Sequence, residues 1–133
     1  IAPSELRRVG RLADGWLPSF VTPDDASRGR EAIETALQQH GRSIDDDHYG
    51  ALIPYATGPV PDAVLAGLAK RRPDLDPNDL VPQGWDALMS LIDRFVAVGT
   101  SKFVVLPIVE PRSPDDWVAH LEEAAPIVLA RQT

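Results

Sequence analysis

Residues 10–25 read GRLADGWLPSFVTPDD, and the fold turns on them. A helical run closes at Ala13-Asp14-Gly15, and Trp16-Leu17-Pro18 is long enough only for a strand stub. Thr22-Pro23-x-Asp25 then opens a second helix: threonine caps, proline suits the first helical position, and Asp25 occupies the capping-box position. Working backward, Leu6, Val9, Leu12 and Ala13 recur at helical spacing over Ser4 to Ala13. Working forward, Ala26, Ile33 and Leu37 form the apolar stripe of the second helix, and Gly41 is its natural stop.

The rest of the chain repeats this alternation. His48 to Ala56, HYGALIPYA, reads as a strand, with Pro54 expected at its end or at an irregularity because proline donates no ladder hydrogen bond. A modest helix is expected from about Pro61 to Arg71, with Val64, Leu65 and Leu68 inward. RPDLDPNDLVPQG, interrupted by Pro73, Pro77 and Pro82, reads as loop. Trp85, Leu88, Ile92, Phe95 and Val96 mark the most amphipathic helix, ending near Gly99. Lys102 to Ile108, KFVVLPI, is a continuous apolar run of the kind that suits a parallel strand covered on both faces. Ser113-Pro114-Asp115-Asp116 caps a last helix with Trp117, Leu121, Ala124 and Val128 on one face, and Pro126 should kink or interrupt it.

Strands alternating with helices predict an α/β fold of parallel units in one domain spanning 1–133. There is no internal repeat and no low-complexity segment. Three strands leave both sheet edges open, which predicts self-association as a homo-oligomer, and the set reads as a piece of something larger.

Composition narrows the function classes. The 133 residues are 44% hydrophobic and 25% charged, with a net charge of −7 and no cysteine. That excludes disulfides, thiolate nucleophiles and Cys-type zinc sites, and the charge argues against nucleic acid as the main partner. No apolar run approaches the roughly 18–20 residues that span a bilayer, and with no signal peptide ahead of the first helix the expected place is the cytoplasm, without membrane contact.

Few residues offer chemistry. Arg7 and Arg11 share a helix face beside Arg8, which reads as a solvated face or as an anion contact. His40 suits the dipole at a helix end, His48 opens a strand, and His120 falls on the polar side of the last helix. Lacking ligand-spaced partners, they assign no metal. Asp45-Asp46-Asp47 reads as a surface turn. Pro54, Tyr55, Leu106 and Pro107 stand at strand C-termini, where a parallel sheet collects ligands. Trp85 and Trp117 read as packing residues. No catalytic acid or base can be named.

SELRRVGRLADGWLPSFVTPDD, ALIPYA and GWDALMSLIDRFVAVGTSKFVVLPI together resemble the C-terminal part of luciferase-like monooxygenases, in particular their coenzyme F420-dependent oxidoreductase branch. Members of that family carry a paired glycine followed by a motif whose second half is matched by Leu6 to Pro18. The resemblance implies the C-terminal portion of a TIM-type (β/α)8 barrel, a fold of about 250 residues when whole. This chain has about half that length, lacks the glycine pair, and is expected to be a truncated partial domain without turnover by itself.

The resemblance also implies a site. In the family the glycine turn and the following helix start cradle the cofactor phosphate, which places Ala2 and Ser4 at that cradle. Ser4 is equally readable as a helix cap. A carboxylate at Glu5 would repel a phosphate unless it points away. Trp16 either packs at the barrel's end or walls the cofactor pocket. The implied activity is hydride transfer between coenzyme F420 and a small organic substrate, with the anionic oligoglutamate tail of F420 as a partner for the Arg7–Arg11 face. Two alternatives stay open: FMN with monooxygenase chemistry, and a non-catalytic half-barrel.

Overall fold

The computed structural model describes residues 1–132 and contains six α-helices and two β-strands. α1 (Pro3–Leu12) leads to an extended stub at residues 16–19, then α2 (Pro23–Gln39) and β1 (Gly50–Tyr55). α3 (Asp62–Arg71), α4 (Pro77–Leu80) and α5 (Trp85–Ala97) precede β2 (Lys102–Pro107), and α6 (Pro114–Val128) ends the series. Helix starts follow local chemistry. Thr22 Oγ1 accepts from the Asp25 N–H while Asp25 Oδ2 accepts from the Thr22 N–H, closing the expected capping box. At α6 the cap is one-sided, with Ser113 Oγ accepting from the Asp116 N–H. Gly41 and Gly99 take φ of +62° and +87° just beyond α2 and α5, a conformation glycine adopts without steric cost.

β1 and β2 pair in parallel, from Gly50 opposite Lys102 to Tyr55 opposite Pro107. The stub adds a parallel edge to β1, with the Gly50 N–H on Trp16 O at 2.8 Å and the Leu52 N–H on Pro18 O at 2.9 Å. This alternation explains how Pro54 fits inside a strand. The next bond in the series would run from position 54 to Phe20 O, and that carbonyl accepts from Arg72 Nη1 instead.

The main core lies between the sheet and the helices. Ala51, Ile53 and Tyr55 of β1 pack on Leu88, Ile92 and Phe95 of α5. A second cluster joins α1 to α2 through Leu6, Ile33, Leu37 and Tyr49. A third gathers Ala56, Val60, Leu68, Leu80 and Val81, with Phe20 and Ile108 packed against it, at the C-terminal ends of the strands.

Several expectations need correction. β2 is covered on one face only, with Val104 and Leu106 each 45% exposed, because the helices of the main core all pack on the opposite side of the sheet. Val96 and Leu121 belong to their apolar stripes by spacing but are 54% and 58% exposed. The segment read as loop contains the single turn α4, opened by Asp76 Oδ1 accepting from the Asn78 N–H. His48 lies in a short 3-10 turn ahead of β1 rather than in the strand. Pro126 does not stop α6 at once: the helix continues to Val128 before tightening into a 3-10 turn. Among the described residues, no helix is long and apolar enough to cross a membrane.

Candidate functional site

α1 runs parallel to α2, since Gly10 near its end meets Ala36 and Leu37 near the end of α2. α2 starts where the stub ends, so the N-terminus of α1 points toward the side where the strands end. Ala2 occupies the N-cap and makes no side-chain cap bond. Its carbonyl accepts from the Glu5 and Leu6 N–H groups at 3.0 and 3.3 Å. Pro3 has no N–H, so the first turn presents the Ser4 N–H and hydroxyl at the positive end of the helix dipole. Both Ala2 and Ser4 are exposed. The Glu5 carboxylate is drawn down the helix to Arg8, at 2.5 Å, and so turns away from the helix start. Arg7 and Arg11 lie exposed one turn apart.

Trp16 does not join this pair. α1 is about 15 Å long at 1.5 Å per residue, and Trp16 follows its far end, bridging Tyr49 where the sheet begins. Its indole lies so close to Gly29 of α2 that a Cβ there would come within 2.2 Å of Cη2. With Leu17, His48 and Lys102 it borders an open concavity of about 460 Å³ at the N-terminal ends of the strands. The structure therefore brings Ala2 and Ser4 together and gives Trp16 a packing position remote from them.

The strand ends divide by parity. Pro54 and Leu106, register partners, lie on the face away from the helices. Tyr55, expected at the opening, instead turns its ring into the helical layer and is 3% exposed. Its hydroxyl lies 2.5 Å from His120 Nε2. The His120 ring is surrounded by Tyr55, Trp85 and Trp117, with centroids 5.9, 5.6 and 6.1 Å away, and Trp85 Nε1 donates to Glu123 at 2.8 Å. Burial and the nearby Glu123 charge both push the Tyr55 hydroxyl above its ordinary pKa. His120 is thus an inward residue of α6, contrary to the expected polar side. Its spacing held the signal: it lies three residues after Trp117 and four before Ala124, on one helix face.

At the opposite end, Asp45, Asp47 and His48 bring ligand atoms within 4.8 Å of one another, all exposed. Asp47 is 3.5 Å from Lys102 Nζ and Asp46 pairs with Arg30, so this acidic turn is engaged in ion pairs. No metal is assigned to it.

No protein-family pattern and no curated protein matches this sequence. Solved structures do match. One is an F420-dependent secondary alcohol dehydrogenase in complex with an F420–acetone adduct, with a TM-score of 0.61 and 13% identity over 95% of this chain and 46% of that one. Another is the coenzyme F420-dependent tetrahydromethanopterin reductase from Methanopyrus kandleri, with a TM-score of 0.57 and 18% identity over 99% of this chain and 48% of that one. The fold is part of a TIM-type (β/α)8 barrel. This chain spans about half the length of both enzymes. At such identities the likeness concerns the fold alone.

Proposed function

We propose that this chain contributes the phosphate end of a coenzyme F420 site in an oxidoreductase that transfers hydride to or from a small organic substrate. The observation that carries the reading is the exposed N-terminus of α1 at the strand-end side of a fold shared with two F420-dependent enzymes. The residues present fit an anion. Ser4 offers a backbone N–H and a hydroxyl, the helix dipole adds partial positive charge, and Glu5 is held away by Arg8. The deazaflavin supplies the hydride chemistry when bound. The chain's own part is to bind the phosphate through Ser4 and to orient the cofactor against the sheet face that carries Pro54 and Leu106.

Titration with coenzyme F420, followed by its absorbance and with FMN in parallel, tests this. Saturable F420 binding is expected, weakened about tenfold by Ser4→Asp, which sets a carboxylate against the phosphate. Tighter binding of FMN would redirect the reading to flavin chemistry. F420 binding that is undetectable, or indifferent to Ser4→Asp, would overturn it.

A further inference from the structure

Phe20 is the only non-glycine residue with positive φ among the described residues, at +56°. Side chains rarely adopt that conformation unless their surroundings over-determine it. Here two adjacent arginines at the end of α3 do so. Arg72 Nη1 donates to Phe20 O at 2.8 Å and to Asp25 Oδ2 at 2.9 Å. Arg72 Nε and Nη2 hold Asp74 at 3.0 and 2.8 Å. The Arg71 guanidinium lies over the Phe20 ring, 4.5 Å from its centroid. The Arg72 and Asp25 side chains are only 18% and 11% exposed, so this fork works largely out of water.

One guanidinium therefore ties the exit of the extended stub to the capped start of α2 and to the end of α3. The Phe20 ring and Ile108 pack on the same cluster as Ala56 and Val60, which links all three strand exits in one wall. This wall stands at the strand C-termini, where barrels of this kind bind their ligands. We infer that Arg72 is a positioning residue: it latches the strained Phe20 turn to α3 and so fixes the wall of the ligand opening. The identity of the ligand rests on the F420 reading above; the latch does not.

The test is a double-mutant cycle of Arg72→Gln and Phe20→Gly, read by amide exchange and by F420 titration. Glycine adopts φ near +56° without strain, so the latch matters less in the Phe20→Gly background. Arg72→Gln alone should speed exchange at Thr22 and Asp25 about tenfold, leave Leu88 and Ile92 unchanged, and weaken F420 binding about tenfold. In the Phe20→Gly background the same change should alter both readouts by a smaller factor, because the bond to Asp25 is still lost but no strained turn is released. Arg72→Lys should not restore the wild-type values, because an ammonium cannot reproduce the planar fork. Equal effects in both backgrounds, or faster exchange with unchanged F420 affinity, overturn the inference. If the wild-type chain binds no F420, the functional reading falls and exchange alone judges the latch: unchanged rates at Thr22 and Asp25 in Arg72→Gln sink it.

Discussion

His120→Ala is expected to destabilise the protein more than Tyr55→Phe, although both remove the same hydrogen bond. Tyr55 is 3% exposed, so loss of His120 leaves its hydroxyl buried without a partner. That costs about 1–3 kcal/mol. The histidine ring also gives up its packing against Tyr55, Trp85 and Trp117, where a well-placed aromatic pair contributes about 0.5–1.5 kcal/mol. Allowing for partial relaxation, His120→Ala should cost roughly 2–4 kcal/mol. Tyr55→Phe leaves the partner on half-buried His120, which can turn to water, and should cost about 1 kcal/mol. Urea unfolding followed by tryptophan fluorescence reports directly, since Trp85 and Trp117 touch the imidazole. In melting temperature the gap should be roughly 5–10 °C for a domain of this size. Equal losses, or a larger loss for Tyr55→Phe, would refute the reasoning that burial of the hydroxyl, and not the bond itself, sets the cost.

Gly10→Ala should destabilise by about 1–2 kcal/mol in chemical denaturation despite alanine's better helix propensity, because its Cβ would stand 2.6 Å from Ala36 Cβ and 2.8 Å from Ile33 O; a rise in stability would show that α1 and α2 pack less closely. Stability should fall on acidification through the Asp25–Arg72 contact. Burial alone would raise the Asp25 pKa, but the Thr22 N–H and the Arg72 guanidinium outweigh it and hold it below its ordinary 3.8. The contribution is therefore full above pH 4 and lost as pH falls below that range, where Asp74, held to about 2 first by its hydrogen bonds to Arg72, also begins to protonate. Asp25→Asn should flatten this acid limb in a pH series of unfolding curves, and an unchanged slope would count against it. Exchanging Arg7 and Arg11 together for glutamine should weaken F420 binding about threefold at low salt and hardly at all at 0.5 M, since exposed charges are screened within about 10 Å already at 0.1 M; the same loss at both salt concentrations would rule out an electrostatic contact with the cofactor's anionic tail.

Local chemistry was the legible part of this fold. The Thr22-Pro23-x-Asp25 capping box, the Ser113 cap and the glycine stops each depend on residues within four positions of one another, so spacing alone reveals them. The parallel order followed from alternation, whereas Ala2 and Ser4 were singled out by the family resemblance alone. What stayed hidden depends on contacts distant in sequence. The apolar run of β2 could not disclose that one of its faces lacks a helical layer. Tyr55 and His120 are 65 positions apart, and only the strand's parity together with the docking of α6 brings them into contact. The strain at Phe20 has no sequence signature, because the arginine that sustains it lies 52 positions later, in a different βα unit.

Three arginines explain how a chain of net charge −7 uses its few cations. Arg30 donates to Gly99 O, pairs with Glu34 and Asp46, and covers the Tyr49 ring, fastening α2 to the N-terminal ends of the strands. Arg42 donates to Gly10 O and Ala13 O, closing the end of α1. Arg72 performs the corresponding task at the opposite end of the sheet. Each bonds backbone carbonyls as well as a carboxylate, work that suits a planar fork better than a lysine point charge. Their charges are consequently committed to the fold, and an anion arriving at α1 meets the helix dipole, Ser4 and the exposed Arg7–Arg11 face in their place. That division separates the groups that hold the barrel wall from those proposed to bind, and it is why a change at Ser4 should move affinity with little effect on stability while a change at Arg72 moves the wall itself.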